Sequence, residues 1–586
     1  MVEKKGSKIL FSIACITSSF MFTGCSNNAI TKDNETFSEM YSELDTFSSD
    51  RYKKYNAVVK NFNLGKKSFE NSIEIDIKGM ISYPKQISNA PILIILSGNE
   101  NLVRDNNVSK SNLYKGYDYL VESLAESGFL TLVIDTQFKN NSTDRQEIVE
   151  DKILEQLFDY HLNNLKLSID GTVDTYGVNI ENKGDLSKIG LIGQSSTGRN
   201  IFNICNRKYD SEDYSIKGLM SITPGESMSI SSAYPDVPTS ILVAEHSLST
   251  RIGFDIYNEI ERGINRKSLA TLTYLIGGNS KKFNENIEEE KILEAKVDEM
   301  SKVNELKESE SVNTQNTQAA RMINKKPVTD IETILEEENS IMKENVDLVK
   351  DTGLHENFLS SYCASFFKSI FEEDDEFANI YSGNSLSPTK MYGMNVLNKY
   401  YTGEKEVLYS SEVDSNVSTK RFSIEDIVES DMNELDTAVN FNEPTTNVEL
   451  NLKKLEWEKE YPSLKIKNKK VDYSKYNSIN LRWAINSSST LNLTHQKTAL
   501  IKLEDKFGKT STIFLNAENS LRKIEGREKI DEDGVYEWSR YTPLSDVKIP
   551  LSSFKNIDLK NIKNMTLSFN GSKYGSVYIN EIYLAN

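Results

Sequence analysis

The sequence predicts an α/β domain, built on a mostly parallel sheet with flanking helices, followed by an all-β sandwich. Three observations carry this. PILIILSG (91–98) and FLTLVIDT (129–136) are continuous apolar runs, as strands buried on both faces require. They alternate with helical patterns such as YDYLVESLAESG, which stops at Gly128, and strand–helix alternation implies a parallel sheet covered on both faces. Beyond residue 400 the pattern becomes period-two alternation punctuated by Gly, Asn and Ser turns.

The elements follow in chain order. Residues 1–24, with a basic start and an apolar stretch from Ile9 to Phe22, read as a secretion signal, since that stretch is too short to span a bilayer. The sequence FTGC ending at Cys25 is similar to a bacterial lipobox, which implies acylation of Cys25, membrane lipid as a partner and a place on the extracellular face of the cell membrane. Residues 25–60, polar and rich in Ser, Asn and Asp, suit a flexible tether.

The α/β domain is expected over 61–283, with an insertion at 284–350 where Glu, Lys, Asn and Ser dominate and apolar residues are sparse but helically spaced. ENFLSSYCASFFKSIFEED then resumes as the closing helix of that domain within 351–400, and the sandwich occupies 401–586. Net charge is −18 over 586 residues, and no block of Lys and Arg stands out after the extreme N terminus, so nucleic acid is not an expected partner. Cys205 and Cys363 lie in helix-like patterns and read as buried apolar residues, and no Cys or His spacing suggests a metal site or a cofactor.

The chemistry centres on GLIGQSSTGR (190–199). A strand leads directly into GQSSTG and a helix leads out, which is the setting that turns such a sequence into a nucleophile elbow. Spacing puts Ser195 at the nucleophile position, with Gly193 two residues before it and Thr197 where a second glycine is usual.

At this point the chain resembles the α/β-hydrolase fold, and within it bacterial hydrolases of the dienelactone hydrolase and polyester-esterase type that carry a C-terminal β-sandwich. The resemblance implies a Ser, acid, His triad in that chain order. Ser97 and Gly98 stand where such proteins have His and Gly, so the oxyanion donors are expected at the backbone of Ser196 and of the loop after Gly98, at Asn99. The acid is expected after PTSILVAEHSLS; Glu245 is available there, although the register brings Ser247 or Ser249 nearer the family position. GGNSKKFN places Ser280 at the family's histidine.

Of the four histidines, His161 reads as a packing residue, and His246 points away from its neighbour Glu245 on an extended segment. His495 lies in the sandwich. His355 follows the acid loop in the right order and is the candidate relocated base.

Three readings follow. The main one is a lipid-anchored pseudoenzyme acting as a binding or scaffold module. The alternatives are an active serine ester hydrolase using Ser195, Glu245 and His355, and a glycan-binding surface protein acting through the sandwich. VDYSKYNSINLRWAI and its neighbours resemble a galactose-binding-like jelly roll, in which Tyr473, Tyr476, Trp483, Trp538 and Tyr541 either stack on a sugar or pack in the core.

Overall fold

The structure, a computed structural model, describes residues 28–32, 35–40, 43–44 and 54–586 except 70–72, 99–111, 138–145, 209–212, 226–233, 248–249, 264–265, 287–350, 373–374, 414–415, 428–451, 487–488, 490, 493–497, 523–524, 530–535, 541–543 and 571–572. The signal, Cys25, Asn99, Ser249, His495, Tyr541 and nearly all of the insertion lie outside the described residues. Trp538 lies on a described strand whose side chains are not described.

The chain folds into a large mixed sheet with helices on both faces, followed by two antiparallel-rich sheets. In the first part the strands are β1 (Ala57–Ser68), β2 (Glu74–Pro84), β3 (Ala90–Leu96), β4 (Leu130–Ile134), β5 (Gly184–Gln194), β6 (Ile216–Ile222), β7 (Thr239–His246), β8 (Ala270–Asn279) and β9 (Met394–Tyr400). They lie side by side as β1-β2-β4-β3-β5-β6-β7-β8-β9. Neighbours from β4 to β8 pair in parallel, and β1, β2 and β9 add antiparallel edges.

Helices α1 (Asp118–Glu126) and α5 (Thr352–Phe371) cover one face, where Leu120, Val121, Phe358 and Phe367 share a core. The other face is covered by α2 (Gln146–Ile169), α3 (Thr197–Lys208) and α4 (Thr250–Glu261), through Leu157, Phe202 and Tyr257. Helix α5 sits very close to the sheet: a Cβ at Gly190 would overlap the Phe367 ring, and one at Gly218 would come within 2.8 Å of Ile370. It therefore belongs to this core although the insertion separates it in sequence. A short helix α6 (Asp375–Tyr381) and β9 follow it, where sequence patterning suggested only a linker.

The second part contains β10 (Lys405–Ser410), β11 (Val417–Lys420), β12 (Ser423–Ile427), β13 (Leu452–Trp457), β14 (Ser463–Lys467), β15 (Ser478–Ile485), β16 (Thr498–Asp505), β17 (Thr510–Asn516), β18 (Ser545–Pro550), β19 (Ile562–Phe569) and β20 (Gly575–Ala585). One sheet runs β12-β13-β20-β15-β18, with β10 also on β20; the other runs β17-β16-β19-β14-β11. Period-two alternation sends Ile501, Leu503, Ile513, Leu481 and Trp483 into a shared core, where Trp457 stacks on Phe569 at 4.7 Å between centroids.

The segment read as a flexible tether is different. Asn28–Lys32 and Glu35–Met40 form an antiparallel pair, and the second lies parallel to β17, with Glu35 opposite Thr510 and Met40 opposite Leu515. A polar edge strand needs only backbone pairing, which composition does not reveal.

The two parts meet through a buried charge network. Every residue of β15 is buried, although SINLRWAI alternates like a half-exposed strand. Ile479, Leu481 and Trp483 face the sandwich core, while Arg482 and its β18 partner Asp546 face the α/β part. Arg482 Nε and Nη2 donate to Asp546 at 2.7 and 3.0 Å, and Arg482 Nη2 lies 2.6 Å from Glu261 on α4. Asp546 Oδ2 also accepts the Tyr400 amide from β9 at 2.9 Å. Burial alone raises the Asp546 carboxyl, but Arg482 overrides it and holds the group below its usual range.

Candidate functional site

Ligand sites in open parallel sheets lie beyond the carboxyl ends of strands, where successive connections leave in opposite directions. Here that point falls between β3 and β5. The chain runs from β3 outward to β4, then returns to place β5 on β3's other side. Ser97 and Gly98 leave one strand, and Ser195 leaves the other.

Ser195 has a left-handed φ of +55°, unusual for a residue with a side chain. The turn is held by its own backbone: the Ser195 amide donates to Ile222 O at 3.1 Å, and Gly225 N donates to Ser195 O at 2.8 Å. Crowding requires the glycines. A Cβ at Gly193 would overlap the Thr197 carbonyl, and one at Gly98 would come within 2.6 Å of Gln194 O. Thr197, where the pattern wants glycine, turns its hydroxyl into the turn. Its Oγ1 lies 3.0 Å from Leu96 O and 2.8 Å from Gln194 O, and accepts the Gln194 amide at 3.1 Å. The substitution braces the elbow rather than breaking it.

The groups around Ser195 are committed elsewhere. Its Oγ makes no hydrogen bond among the described residues, and it is half-buried. Glu245 is buried, with Oε2 accepting the Gly277 amide at 2.6 Å. Ser280 begins a single 3₁₀ turn, Ser280–Phe283; its Oγ is directed to His246 O at 3.4 Å and its carbonyl accepts Gln194 Nε2 at 3.2 Å. Ser247 is buried beside it in sequence from His246.

The structure does bring His355 to this loop, but both ring nitrogens meet backbone. Nε2 accepts the Asn279 amide at 2.8 Å, which fixes the proton on Nδ1, and Nδ1 donates to Asp351 O at 2.6 Å. Burial lowers the imidazole to about 4, the Asp351 carbonyl working against this and Lys282 and His246 adding to it. His161 sits far from this edge in the α2 core, its ring 5.7 Å from Phe62 and its Nδ1 3.4 Å from the Tyr176 hydroxyl.

Three further residues shape the mouth without having been singled out by sequence. Gln194 Oε1 accepts the Tyr117 hydroxyl, so Gln194 bridges α1's entry to the Ser280 loop. Gly225 lies over the elbow: a Cβ there would come within 3.2 Å of both Ser195 Oγ and the Ser196 amide nitrogen, the expected oxyanion donor. Asp135, just beyond β4, is buried and its carboxyl is pushed up to about 6, the Gln137 amide partly offsetting the effect. The raised Asp135 and the Gln194 bridge depend on contacts across strands, for which the sequence carries no local signal.

In the sandwich, Tyr473 and Trp483 are buried in the core and Tyr476 is only half-exposed. Of the aromatic candidates for sugar stacking, the first two belong to packing.

No family model and no curated protein matches the chain. Solved structures similar to parts of it include a Klebsiella pneumoniae protein assigned as a dienelactone hydrolase, 11% identical over 40% of this chain and 92% of that one, with a TM-score of 0.26. An esterase of Pyrobaculum calidifontis is 11% identical over 39% of this chain and 79% of its own, TM-score 0.25. A family 11 carbohydrate-binding module of a Clostridium thermocellum cellulosomal cellulase is 14% identical over 31% and 95%, TM-score 0.19. The similar solved structures thus include hydrolases and a carbohydrate-binding module, all at low identity and low TM-score.

Proposed function

We propose that this chain is a lipid-anchored surface protein whose α/β-hydrolase-like part no longer performs triad chemistry and serves, with its jelly-roll-like partner, as a binding scaffold. One observation carries the reading: the candidate relocated base, His355, has its lone pair on the Asn279 amide and its proton on the Asp351 carbonyl. A serine hydroxyl needs a base to become a nucleophile at neutral pH, and the candidate acid is engaged too, Glu245 holding the Gly277 amide.

The retained elbow supports a scaffold role because its close backbone packing is stable without catalysis. Hydrolysis of short-chain nitrophenyl esters by the purified chain tests this. The expected rate equals that of Ser195→Ala. A wild-type rate well above that of Ser195→Ala, and falling again in His355→Ala, overturns it in favour of an esterase with a relocated base. Anchoring is tested separately: Cys25→Ser should move the protein from the membrane fraction to the soluble one.

A further inference from the structure

We infer that one end of the sandwich is a docking surface for anionic lipid bilayers, centred on the exposed side chain of Phe507. The inference goes beyond the scaffold reading and needs no acylation at Cys25. Three loops meet at this end: 467–475 after β14, 506–509 between β16 and β17, and 555–563 leading into β19. The short helical turns Tyr473–Lys475 and Leu559–Asn561 pack together. Lys506 bonds Asn561 twice, from its amide at 2.9 Å and from Nζ at 2.7 Å. The Asp558 amide donates to Asp505 at 3.3 Å.

Between them the three loops carry nine lysines and two aspartates, in a chain whose net charge is −18. Lys469, Lys470 and Lys475 come from the first loop, Lys506 and Lys509 from the second, and Lys555 and Lys560 from the third; all are exposed. Both aspartates are turn caps, Asp472 accepting from Ser474 and Asp558 from the Lys560 amide and Asn561. Among the described residues only Lys563 of the nine has a carboxylate within ion-pair distance, Glu504 at 3.0 Å. The sequence marks only part of this patch, in KIKNKK at 465–470; folding adds the lysines of the other two loops.

Phe507 distinguishes the partner. It is 69% exposed at the tip of KFGK, flanked by Lys506 and Lys509, with Lys506 Nζ 5.0 Å from its ring centroid. The tip is a shaped turn: the fully buried Asp505 carboxylate accepts the Phe507 amide at 2.8 Å and the Lys509 amide at 3.0 Å, and Gly508 takes φ +79°. A soluble polyanion would use the lysines alone. An aromatic ring held outward among cations suits the bilayer interface, where the ring enters the acyl boundary while the ammonium groups stay at anionic headgroups.

The test is vesicle co-sedimentation of the chain beginning at residue 25 and carrying Cys25→Ser, so that no acyl group contributes. Vesicles of phosphatidylcholine with about one-third phosphatidylglycerol should bind it at least roughly tenfold more tightly than pure phosphatidylcholine, and about 0.5 M salt should abolish the difference. Phe507→Ser and, separately, Lys469→Glu/Lys509→Glu should each weaken partitioning roughly tenfold with unchanged melting curves. Phe507→Ser should leave binding to soluble polyphosphate unchanged. Equal binding to both vesicle types, no binding to either, or vesicle binding insensitive to Phe507→Ser would overturn the inference, the last pointing to a soluble polyanion instead.

Discussion

His355 Nε2 lies 2.8 Å from the amide nitrogen of Asn279, the residue immediately before Ser280. The bond ties the first turn of α5 to the loop that leaves β8, at the edge where Ser195 stands. It makes the imidazole a structural crosslink between backbone segments 76 residues apart.

Removing that crosslink should cost stability. His355→Ala leaves the buried Asn279 amide and the Asp351 carbonyl without the ring, and a loss of about 2–4 kcal/mol is expected from urea denaturation. A loss below about 0.5 kcal/mol would mean that the two bonds contribute little and that the ring is replaceable by water.

The same residue predicts a pH dependence. Its folded pKa, about 4, is below the value near 6.5 expected when unfolded. Between these values the unfolded chain binds more protons, so the His355 contribution is complete above about pH 6.5 and is lost as pH falls toward 4. The difference in unfolding free energy between wild type and His355→Gln should therefore shrink over that window, by up to about 3 kcal/mol. A difference flat from pH 7 to pH 4 would contradict a buried neutral imidazole.

The Arg482–Asp546 pair should couple the two parts. Asp546→Ala takes the two-bond partner from the buried Arg482 guanidinium, which keeps Glu261 and Glu581, and leaves the Tyr400 amide without its acceptor, with an expected loss of about 2–4 kcal/mol, whereas Arg482→Met/Asp546→Leu should lose less. Trp457 and Trp483 lie in the sandwich core and Trp538 on a separate two-stranded hairpin, while most of the helix lies in the α/β part. Fluorescence and circular dichroism transitions should coincide in the wild type and separate in Asp546→Ala. Coincident transitions in both would show that the network does not join them.

Thr197 offers a local test of the elbow. Thr197→Val keeps the shape but removes the group that accepts the Gln194 amide, and should cost about 1–3 kcal/mol in thermal unfolding. A neutral result would place the brace elsewhere in the turn.

What the sequence discloses follows the range of each interaction. The β5, Ser195, α3 elbow is local, a strand and a helix joined by crowded glycines, and GLIGQSSTGR displays it directly. The role of Thr197 was not legible, because its partner Leu96 lies 101 residues away on β3. The burial of Arg482 was hidden for a related reason: alternation in SINLRWAI distinguishes two faces but not whether the second is covered by another part of the chain. The N-terminal strand pairing and the lysine-rich end both arise between segments whose own composition is unremarkable for a surface. His355 could be placed by chain order near the Ser280 loop, while the direction of its nitrogens depended on which backbone groups α5 brings to it.

The most direct measurement is covalent labelling of Ser195. The purified chain, treated with a fluorophosphonate at neutral pH and digested, should yield the peptide containing Ser195 unmodified, with no more label than Ser195→Ala. Stoichiometric phosphonylation of Ser195 in the folded protein, abolished by Ser195→Ala and sharply reduced in His355→Ala, would contradict the account, because it would require a base that the hydrogen bonds of His355 leave no room for.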